Sequence, residues 1–290
     1  MNNLIEKANI LAEALPYINK LADKTVVIKY GGNVMDSATA QTILEDIALL
    51  KIVGVNPVVV HGGGPAINEM LAKLNIKSKF HNGLRITDKA TIEIVEMVLS
   101  GKINKSITAK INALGVKAIG ICGKDGNLIE AEKAKVEDGV DLGYVGVIKK
   151  INTKLIDLLI KDEYIPVIAS LGVGADGESL NINADTVASE VAKALKAEKL
   201  IYLTAIDGVY KTEQGKQVLL HFATPSQLRQ LIKQGIITDG MIPKVHSCID
   251  GVENGVKNVH IINGGMPHPV MLEIFTDSGI GTMVEQDENN

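Results

Sequence analysis

The chain contains only two cysteines, Cys122 and Cys248, which are too few for a disulfide framework. We therefore expect a reducing, cytoplasmic compartment in which both thiols are small buried hydrophobic side chains. A basic excess is also lacking, because the net charge is −4, and this argues against a nucleic-acid surface. No apolar run approaches the roughly 20 residues that cross a bilayer, and the N-terminus lacks the continuous apolar core of a signal peptide. We expect neither a nucleic acid nor a membrane as partner.

Several catalytic motifs are missing as well. No Gly-Lys-Ser/Thr occurs, which excludes a Walker A loop. The six histidines lack metal-ligand spacing, and the Gly-x-Ser-x-Gly elbow of a Ser-His-Asp hydrolase is absent. One Gly-x-Gly-x-x-Gly is present at 172–177, but polar, extended residues follow it, whereas a dinucleotide fold needs a helix to begin inside the motif. A nicotinamide-dependent oxidoreductase therefore stays only as an alternative.

Apolar strand patterns alternate with helical patterns through most of the 290 residues, enough for one large domain or two lobes. Strands are predicted at 25–30, 57–60, 117–121, 165–169, 199–204, 258–263 and 281–284. Helices are predicted at 38–53, 65–74, 88–101, 103–115, 153–163, 184–195, 225–234, 244–254 and 267–275. Asn82-Gly83 between extended runs predicts a hairpin. This alternation predicts an α/β fold, a three-layer αβα sandwich with a mainly parallel open sheet.

An amphipathic helical pattern at 3–22 precedes the first strand. Pro16 lies inside it and should kink the helix, because proline removes one backbone donor and clashes with the preceding turn. The βα alternation does not need this helix. It is therefore either a cover for a sheet edge or an arm that docks on another subunit.

Two glycine-rich loops follow consecutive strands. The strand at 25–30 carries Lys29 and leads into Gly31-Gly32, and the next strand leads into 62–64, where three glycines precede Pro65. Proline is well tolerated in a first helical turn, so the second loop opens a helix whose free N–H groups suit an anion. A single strand ending in a Gly-Gly turn would be unremarkable, but the repetition favours a phosphate site.

Four further polar residues occur near predicted strand or helix ends: Arg85, Asn181, Asp185 and Lys244. Taken singly, the lysines could be solvated surface residues, Asp185 an N-cap and Asn181 a turn residue. Ligands of open α/β sheets bind at the carboxyl ends of the strands, where all of these residues can lie. Together they resemble a phosphoryl-transfer site, which needs cations around the transferred group and little covalent help.

The motifs in order resemble those of the amino acid kinase family, and within it the arginine-sensitive, hexameric N-acetylglutamate kinases. The similarity rests on Ile28-Lys29-Tyr30-Gly31-Gly32-Asn33, His61-Gly62-Gly63-Gly64-Pro65, Gly83-Leu84-Arg85-Ile86-Thr87-Asp88, Asn181-Ile182-Asn183-Ala184-Asp185 and Gly240-Met241-Ile242-Pro243-Lys244. It runs over nearly the whole chain. The segment 83–88 favours this member over carbamate, uridylate or aspartate kinases.

The resemblance implies an ATP-dependent phosphorylation of the γ-carboxylate of N-acetyl-L-glutamate, the second step of arginine biosynthesis. It implies the amino acid kinase fold, with residues 23–180 binding the acyl amino acid and mediating dimerisation, and residues 181–290 binding ATP and arginine. Mg²⁺ would be bound through ATP rather than by protein ligands. The implied catalytic residues are Lys29, Lys244 and Asp185, the substrate-binding residues Gly63, Gly64, Arg85 and Asn181, and the nucleotide-binding residues Gly31, Gly32 and Lys244.

The same resemblance implies regulation by L-arginine. Residues 1–22 would interlace between dimers to build a homohexamer, a trimer of dimers, and a PII-type signalling protein is a possible partner. The implied arginine-site residues are Tyr17, Lys211, His268, Glu273 and Gly279. An arginine-binding module without turnover and a kinase acting on another carboxylate stay open as alternatives.

Three positions depart from the family pattern. Ala205 stands where Asp or Asn is common, Gly265 where Arg is usual and Val147 where Glu is usual. The first departure puts a nucleotide contact in doubt. None of the three belongs to the set formed by Lys29, Asp185 and Lys244.

Overall fold

The computed structural model describes residues 5, 12–35, 38–135, 139–213, 216–238, 241–276 and 279–287. The strands are β1 Thr25–Tyr30, β2 Asn56–His61, β3 Lys79–His81, β4 Leu84–Ile86, β5 Lys117–Cys122, β6 Ile129–Lys133, β7 Gly146–Ile151, β8 Tyr164–Ala169, β9 Leu171–Val173, β10 Ser179–Asn181, β11 Lys199–Thr204, β12 Tyr210–Glu213, β13 Lys216–Leu219, β14 Phe222–Ala223, β15 Asn258–Asn263 and β16 Thr282–Glu285. The α-helices are α1 Leu15–Leu21, α2 Gly32–Met35, α3 Ala40–Ile52, α4 Gly64–Lys73, α5 Lys89–Glu96, α6 Asn104–Ala113, α7 Lys154–Lys161, α8 Ala184–Ala194, α9 Pro225–Lys233, α10 Met241–Glu253 and α11 Pro269–Ile274.

The main sheet has eight strands in the order β14-β16-β15-β11-β1-β2-β8-β5. Neighbouring strands are parallel except for β15 and β16. In this sheet, the strands that precede residue 170 lie on one side of β1 and the strands from Lys199 onward lie on the other. The direction of strand addition therefore reverses at β1, and such a reversal places the ligand crevice of an open sheet at the carboxyl ends of the adjoining strands.

Both faces of the sheet are covered by helices, which confirms the predicted three layers. Val27 packs into the hydrophobic cluster formed with α8 and α10, whereas Val26 and Ile28 pack into the cluster formed with α3, α6 and α11. This division follows from the alternation of side chains along a strand. Lys29 is two residues beyond Val27 and projects on the side of α8 and α10.

The predicted hairpin around Asn82-Gly83 is confirmed: β3 and β4 pair antiparallel, and both turn residues have positive φ, as a type I′ turn requires. A small sheet, β10-β9-β6-β7, lies beside the main one. Residues 171–181, which contain the Gly-x-Gly-x-x-Gly motif, form the antiparallel pair β9–β10 rather than a strand and helix. The motif therefore lacks the helix that would bind a pyrophosphate.

Two sequence predictions need correction, and one hairpin was not predicted. The predicted break at Gly101 does not occur, because α5 continues through a π-helical segment, Met97–Ile103, directly into α6. Helix α10 begins at Met241, three residues earlier than predicted, and Pro243 is accommodated within its first turn, where the backbone N–H has no helical partner. The hairpin β12–β13 was not predicted.

The N-terminal helix is described only in part, since residues 3–4 and 6–11 of the predicted helix at 3–22 lie outside the described residues. The helical path is interrupted at Ala14 and resumes at Leu15. Pro16 therefore falls in the first turn of α1, a position that proline tolerates.

Candidate active site

Three charged side chains meet at the carboxyl end of β1. Lys29 Nζ lies 2.8 Å from Asp185 Oδ1, and Lys244 Nζ lies 2.8 Å from Asp185 Oδ2. Each carboxylate oxygen therefore binds one ammonium group. The side chains are 13, 19 and 27% exposed for Lys29, Asp185 and Lys244, so the group is largely shielded but open to solvent on one side.

Local structure explains why these residues converge. Asn183, rather than Asp185, is the N-cap of α8, because its Oδ1 accepts a hydrogen bond from Asp185 N at 2.8 Å. The Asp185 carboxylate is thereby free to bind the lysines. Tyr202 OH, on β11, donates to Asp185 O at 3.3 Å and fixes the start of the helix against the sheet. Lys244 projects from the beginning of α10, which packs on the same face of the sheet.

The electrostatics favour an ionised carboxylate. Burial acts to raise the pKa of Asp185, but the charges and hydrogen bonds of Lys29 and Lys244 outweigh burial and hold the pKa below its usual value. The three side chains thus carry one net positive charge at neutral pH. A compact excess of positive charge beside a cleft suits a polyanionic ligand.

The predicted glycine loops pack closely around this group. A Cβ on Gly31 would lie 3.1 Å from Lys29 Nζ, and one on Gly32 would lie 2.8 Å from Pro65 Cδ. The two loops therefore touch each other, and a side chain at either glycine would crowd the lysine or the second loop. Both are brought together with Lys29, as the sequence predicted.

Two clefts share Lys29. One, of about 490 Å³, is lined by Gly31, Gly32, Met241, Lys244 and residues 203–206, which comprise the end of β11 and the two residues after it. The other is lined by the loop 62–64 together with Ser170, Asn181 and Ala184. A ligand in one cleft would face a ligand in the other across Lys29, which is the arrangement that a group transfer between two bound molecules needs.

The second cleft continues toward Arg85 and Asn181, which line one cavity. Arg85 is 7% exposed and donates to Ser78 Oγ and to Gly64 O, while its guanidinium lies 4.7 Å from the centre of the Phe80 ring. Burial lowers its pKa. Asn181 Nδ2 donates to Thr87 Oγ1 at 3.2 Å, which leaves its side-chain oxygen as an acceptor. The hairpin thus supplies a rigid cationic fork at one end of the cleft.

The predicted arginine-site residues divide into two groups. Tyr17, Glu273 and Gly279 line one cavity of about 300 Å³ together with Lys199 and His260. His268 does not line it: its Nδ1 lies 2.7 Å from Asp46 Oδ1. Lys211 is on the hairpin β12–β13, with Nζ 2.6 Å from Glu213 Oε1.

Glu273 is already engaged within the protein. Its Oε1 lies 2.7 Å from His260 Nδ1, and its Oε2 accepts from Ile280 N at 2.7 Å and Gly281 N at 3.0 Å. Burial acts to raise the pKa of Glu273, but His260 and the two backbone donors outweigh it and lower the pKa. A guanidinium ligand would therefore have to share this carboxylate with existing partners.

The three departures from the family pattern lie in different places. Ala205 is exposed and lines the cleft of Lys244. Gly265 donates its N–H to Asn263 Oδ1 at 2.8 Å. Val147 is 49% exposed on β7. Only Ala205 is therefore positioned beside the cleft.

One histidine and one asparagine adjoin the site but were not among its predicted residues. His61 at the end of β2 and Asn104 at the start of α6 are 0 and 1% exposed and bind each other. The two residues lie 43 positions apart in the chain, so no periodicity or short motif reveals the pair. The only available signal was a polar residue at the end of an apolar strand.

No helix in the described ranges is both long and apolar enough to span a bilayer. Within those ranges, no group of three or more His, Cys, Asp and Glu side chains is arranged to hold a metal ion.

Known proteins resemble this chain over nearly all of its length. The model of the amino acid kinase family matches residues 24–263. An acetylglutamate kinase from Caldicellulosiruptor saccharolyticus is 55% identical over 288 residues, covering 98% of both chains, and one from Halothermothrix orenii is 52% identical over 286 residues, covering 98% of this chain and 99% of the other.

Among solved structures, the N-acetylglutamate synthase from Neisseria gonorrhoeae complexed with coenzyme A and N-acetyl-glutamate matches with a TM-score of 0.87 and 26% identity. The match covers 97% of this chain but only 64% of the synthase. The identities and coverage of the kinases leave no ambiguity about family. The chain belongs to the amino acid kinase family and, within it, to the acetylglutamate kinases.

Proposed function

We propose that the protein transfers the γ-phosphoryl group of ATP to the γ-carboxylate of N-acetyl-L-glutamate, giving N-acetyl-L-glutamyl 5-phosphate and ADP in arginine biosynthesis. The observation that carries the proposal is the bridge Lys29–Asp185–Lys244 at the place where two clefts meet. The names of the relatives, which cover the chain almost completely, point to the same acceptor.

The chemistry needs little from the protein beyond charge and position. A γ-carboxylate has a pKa of roughly 4.3 and is ionised at neutral pH, so the nucleophile needs no general base. The obstacle is the repulsion between this anion and the phosphates. Lys29 and Lys244 stabilise the charge of the transferred group, and Asp185 keeps the two ammonium groups at a fixed separation.

We place the acyl amino acid in the cleft of Gly63, Gly64 and Asn181, where Arg85 pairs with its α-carboxylate in a bidentate geometry. ATP occupies the cleft of Gly31, Gly32 and Lys244. Residues 23–180 then serve mainly the acceptor and the subunit contact, and residues 181–290 mainly the nucleotide and arginine.

Mg²⁺ would arrive bound to the nucleotide phosphates and would neutralise part of their charge, since this ion commonly keeps several waters and uses substrate phosphates as ligands. The Asp185 carboxylate fits this assignment, because both of its oxygens are bound to lysines and it acts as a clamp rather than as a metal ligand. We assign the reaction to the cytoplasm, a reducing compartment in which buried thiols such as Cys122 and Cys248 stay free of disulfides.

A coupled ADP-release assay tests the proposal with four acceptors: N-acetyl-L-glutamate, L-aspartate, L-glutamate and carbamate. We expect turnover with the first and little with the others. Preference for another carboxylate would replace the acceptor, and ATP binding without turnover on any of them would favour the arginine-binding module. An increase of NADH fluorescence on mixing would instead support the oxidoreductase alternative.

We also propose feedback inhibition by L-arginine in a homohexamer, a trimer of dimers joined through residues 1–22, to which a PII-type protein can bind. The support is the cavity that places Tyr17 of α1 beside Glu273 and Gly279. Deleting residues 1–22 should abolish both arginine inhibition and the hexamer mass measured by light scattering. Retention of both after the deletion would contradict this part of the proposal.

A further inference from the structure

A buried polar pair lies directly behind the glycine loop 62–64. His61, the last residue of β2, and Asn104, the first residue of α6, are fully enclosed and belong to no part of the mechanism above. Buried polar side chains are costly unless every group is hydrogen-bonded. Hydrogen bonds of His61 and Asn104 offset the free-energy cost of burying them.

Asn104 joins three strands through its amide nitrogen. Nδ2 lies 3.1 Å from His61 Nε2 on β2, 2.8 Å from Val167 O on β8 and 3.3 Å from Ile121 O on β5. Its Oδ1 accepts from Lys105 Nζ at 3.1 Å. Space for this side chain exists because residue 120 is glycine, and a Cβ there would overlap Asn104 Oδ1. The orientation of the amide is therefore fixed from several directions.

The neighbours of the His61 ring determine its tautomer. A carbonyl oxygen can only accept, so the ring nitrogen beside Gly62 O, Nδ1, carries the proton, and the unprotonated Nε2 faces the donor Asn104 Nδ2. Nδ1 then donates to Gly62 O, 3.0 Å away. Burial, supported by the charge of Lys105, lowers the pKa of His61 to about 4, while the Gly62 contact opposes the shift. The imidazole is neutral throughout the physiological range.

The bond to Gly62 O fixes one peptide plane of the loop. The carbonyl of a trans peptide and the N–H of the next residue point in opposite directions. With the Gly62 carbonyl turned toward His61, the Gly63 N–H points away from the ring. Gly63 lines the cleft that contains Lys29 and Asn181.

The π-helical segment Met97–Ile103 packs against the same loop. A Cβ on Gly63 would overlap Ile103 Cδ1 and lie 2.8 Å from Leu99 Cδ2. The segment ends immediately before Asn104. The same irregular turn therefore positions both the apolar side chains that contact Gly63 and the Asn104 amide that contacts His61. Such turns within α-helices are rare and occur frequently at functional sites.

We propose that His61 and Asn104 are positioning residues for phosphoryl transfer, which hold the Gly62–Gly63 peptide so that the Gly63 N–H faces the reacting groups beside Lys29. The inference rests on the proposed function and deepens it. The Gly63 N–H is the group that would touch substrate; His61 and Asn104 act only through it. A donor held in advance of the reaction stabilises developing negative charge without reorganisation.

Two substitutions at one position test the inference. In His61→Asn the side-chain amide nitrogen replaces Nδ1 and can still donate to Gly62 O, whereas in His61→Gln the amide group reaches Asn104 but leaves Gly62 O without its donor. Both variants remove the ring and lose one partner, so a purely structural role predicts similar losses. We expect kcat of H61Q to be about tenfold or more below that of H61N, with similar KM for ATP and similar melting temperatures.

Equal kcat values for the two variants at equal stability, or a lower value for H61N, would overturn the inference. Turnover of N-acetyl-L-glutamate by the wild-type protein tests the proposed function separately. The tautomer is measured without turnover, by ¹⁵N NMR of the histidine-labelled wild-type protein between pH 6 and 8. We expect a non-titrating ring protonated at Nδ1 that disappears in H61N; an Nε2–H form or titration near pH 6.5 would refute the assignment.

Discussion

Replacing Asp185 by asparagine tests whether the two lysines must be held together. The two carboxylate oxygens each bind one ammonium group at 2.8 Å. An asparagine offers one oxygen and one NH₂, and the NH₂ would face the second ammonium as donor against donor. One lysine must therefore leave its place while the other is retained.

The expected losses of kcat and of stability follow from the displacement of one lysine. Displacing one of two cations beside the transferred group should lower kcat by about 10²–10³-fold, the range found for a single stabilising donor. The loss of stability should be smaller than the 3–5 kcal/mol typical of a broken, fully buried pair. Because the three side chains are 13–27% exposed, solvent screens part of the interaction, and we expect about 1–2 kcal/mol.

The assay is coupled ADP release at saturating ATP and N-acetyl-L-glutamate, with urea denaturation for stability. Asp250→Asn is the matched control, because Asp250 lies on α10, as Lys244 does, and pairs with Lys193 at 2.6 Å while 49% exposed. It should keep kcat within about twofold, since exposed pairs contribute little. A D185N protein with kcat within threefold of wild type would refute the clamp.

Three further outcomes are expected. Lys244→Ala should lower kcat at least about a hundredfold, and near-normal turnover would remove Lys244 from the reaction. Arg85→Lys should raise KM for N-acetyl-L-glutamate about tenfold and leave KM for ATP unchanged, because lysine lacks the planar fork; equal rises in both would argue against an α-carboxylate contact. Because the pKa of His61 is lowered to about 4, only the unfolded chain gains this proton as pH falls below about 6.5, so stability should fall by about 2 kcal/mol by pH 5. Urea denaturation at pH 7 and 5 checks this, and H61N should show the smaller drop.

The parts of the fold that depend on local patterns were predictable. Strands β1, β11 and β15 have the predicted bounds, because β-branched runs ending in polar or glycine residues mark buried parallel strands. The Asn82-Gly83 hairpin was also predicted, since its turn type demands those residues. Parallel topology then explains why Lys29, Asp185 and Lys244 meet at one edge, although their catalytic roles stay predictions.

What could not be predicted depends on distant contacts. The residues of the π-helical segment have ordinary helical periodicity, and Gly101 within it suggested a break rather than a wider turn. The irregularity becomes understandable only through the loop at Gly63, which it packs against. Asn104 likewise has the sequence context of a surface helix residue, and its burial depends on a glycine on another strand.

The central position of β1 also has a consequence for how the protein is made. On one side β1 pairs with β2, the next strand of the chain, but on the other it pairs with β11, with Lys29 opposite Tyr202. The second pairing closes a long loop, and contacts of this kind form slowly and late. A nascent chain can pair β1 on both sides only after β11 has left the ribosome, and Lys244 leaves the ribosome later still. A chain that ends before Lys244 therefore cannot form the lysine pair. The proposed ATP site is complete only after Lys244 has been synthesised.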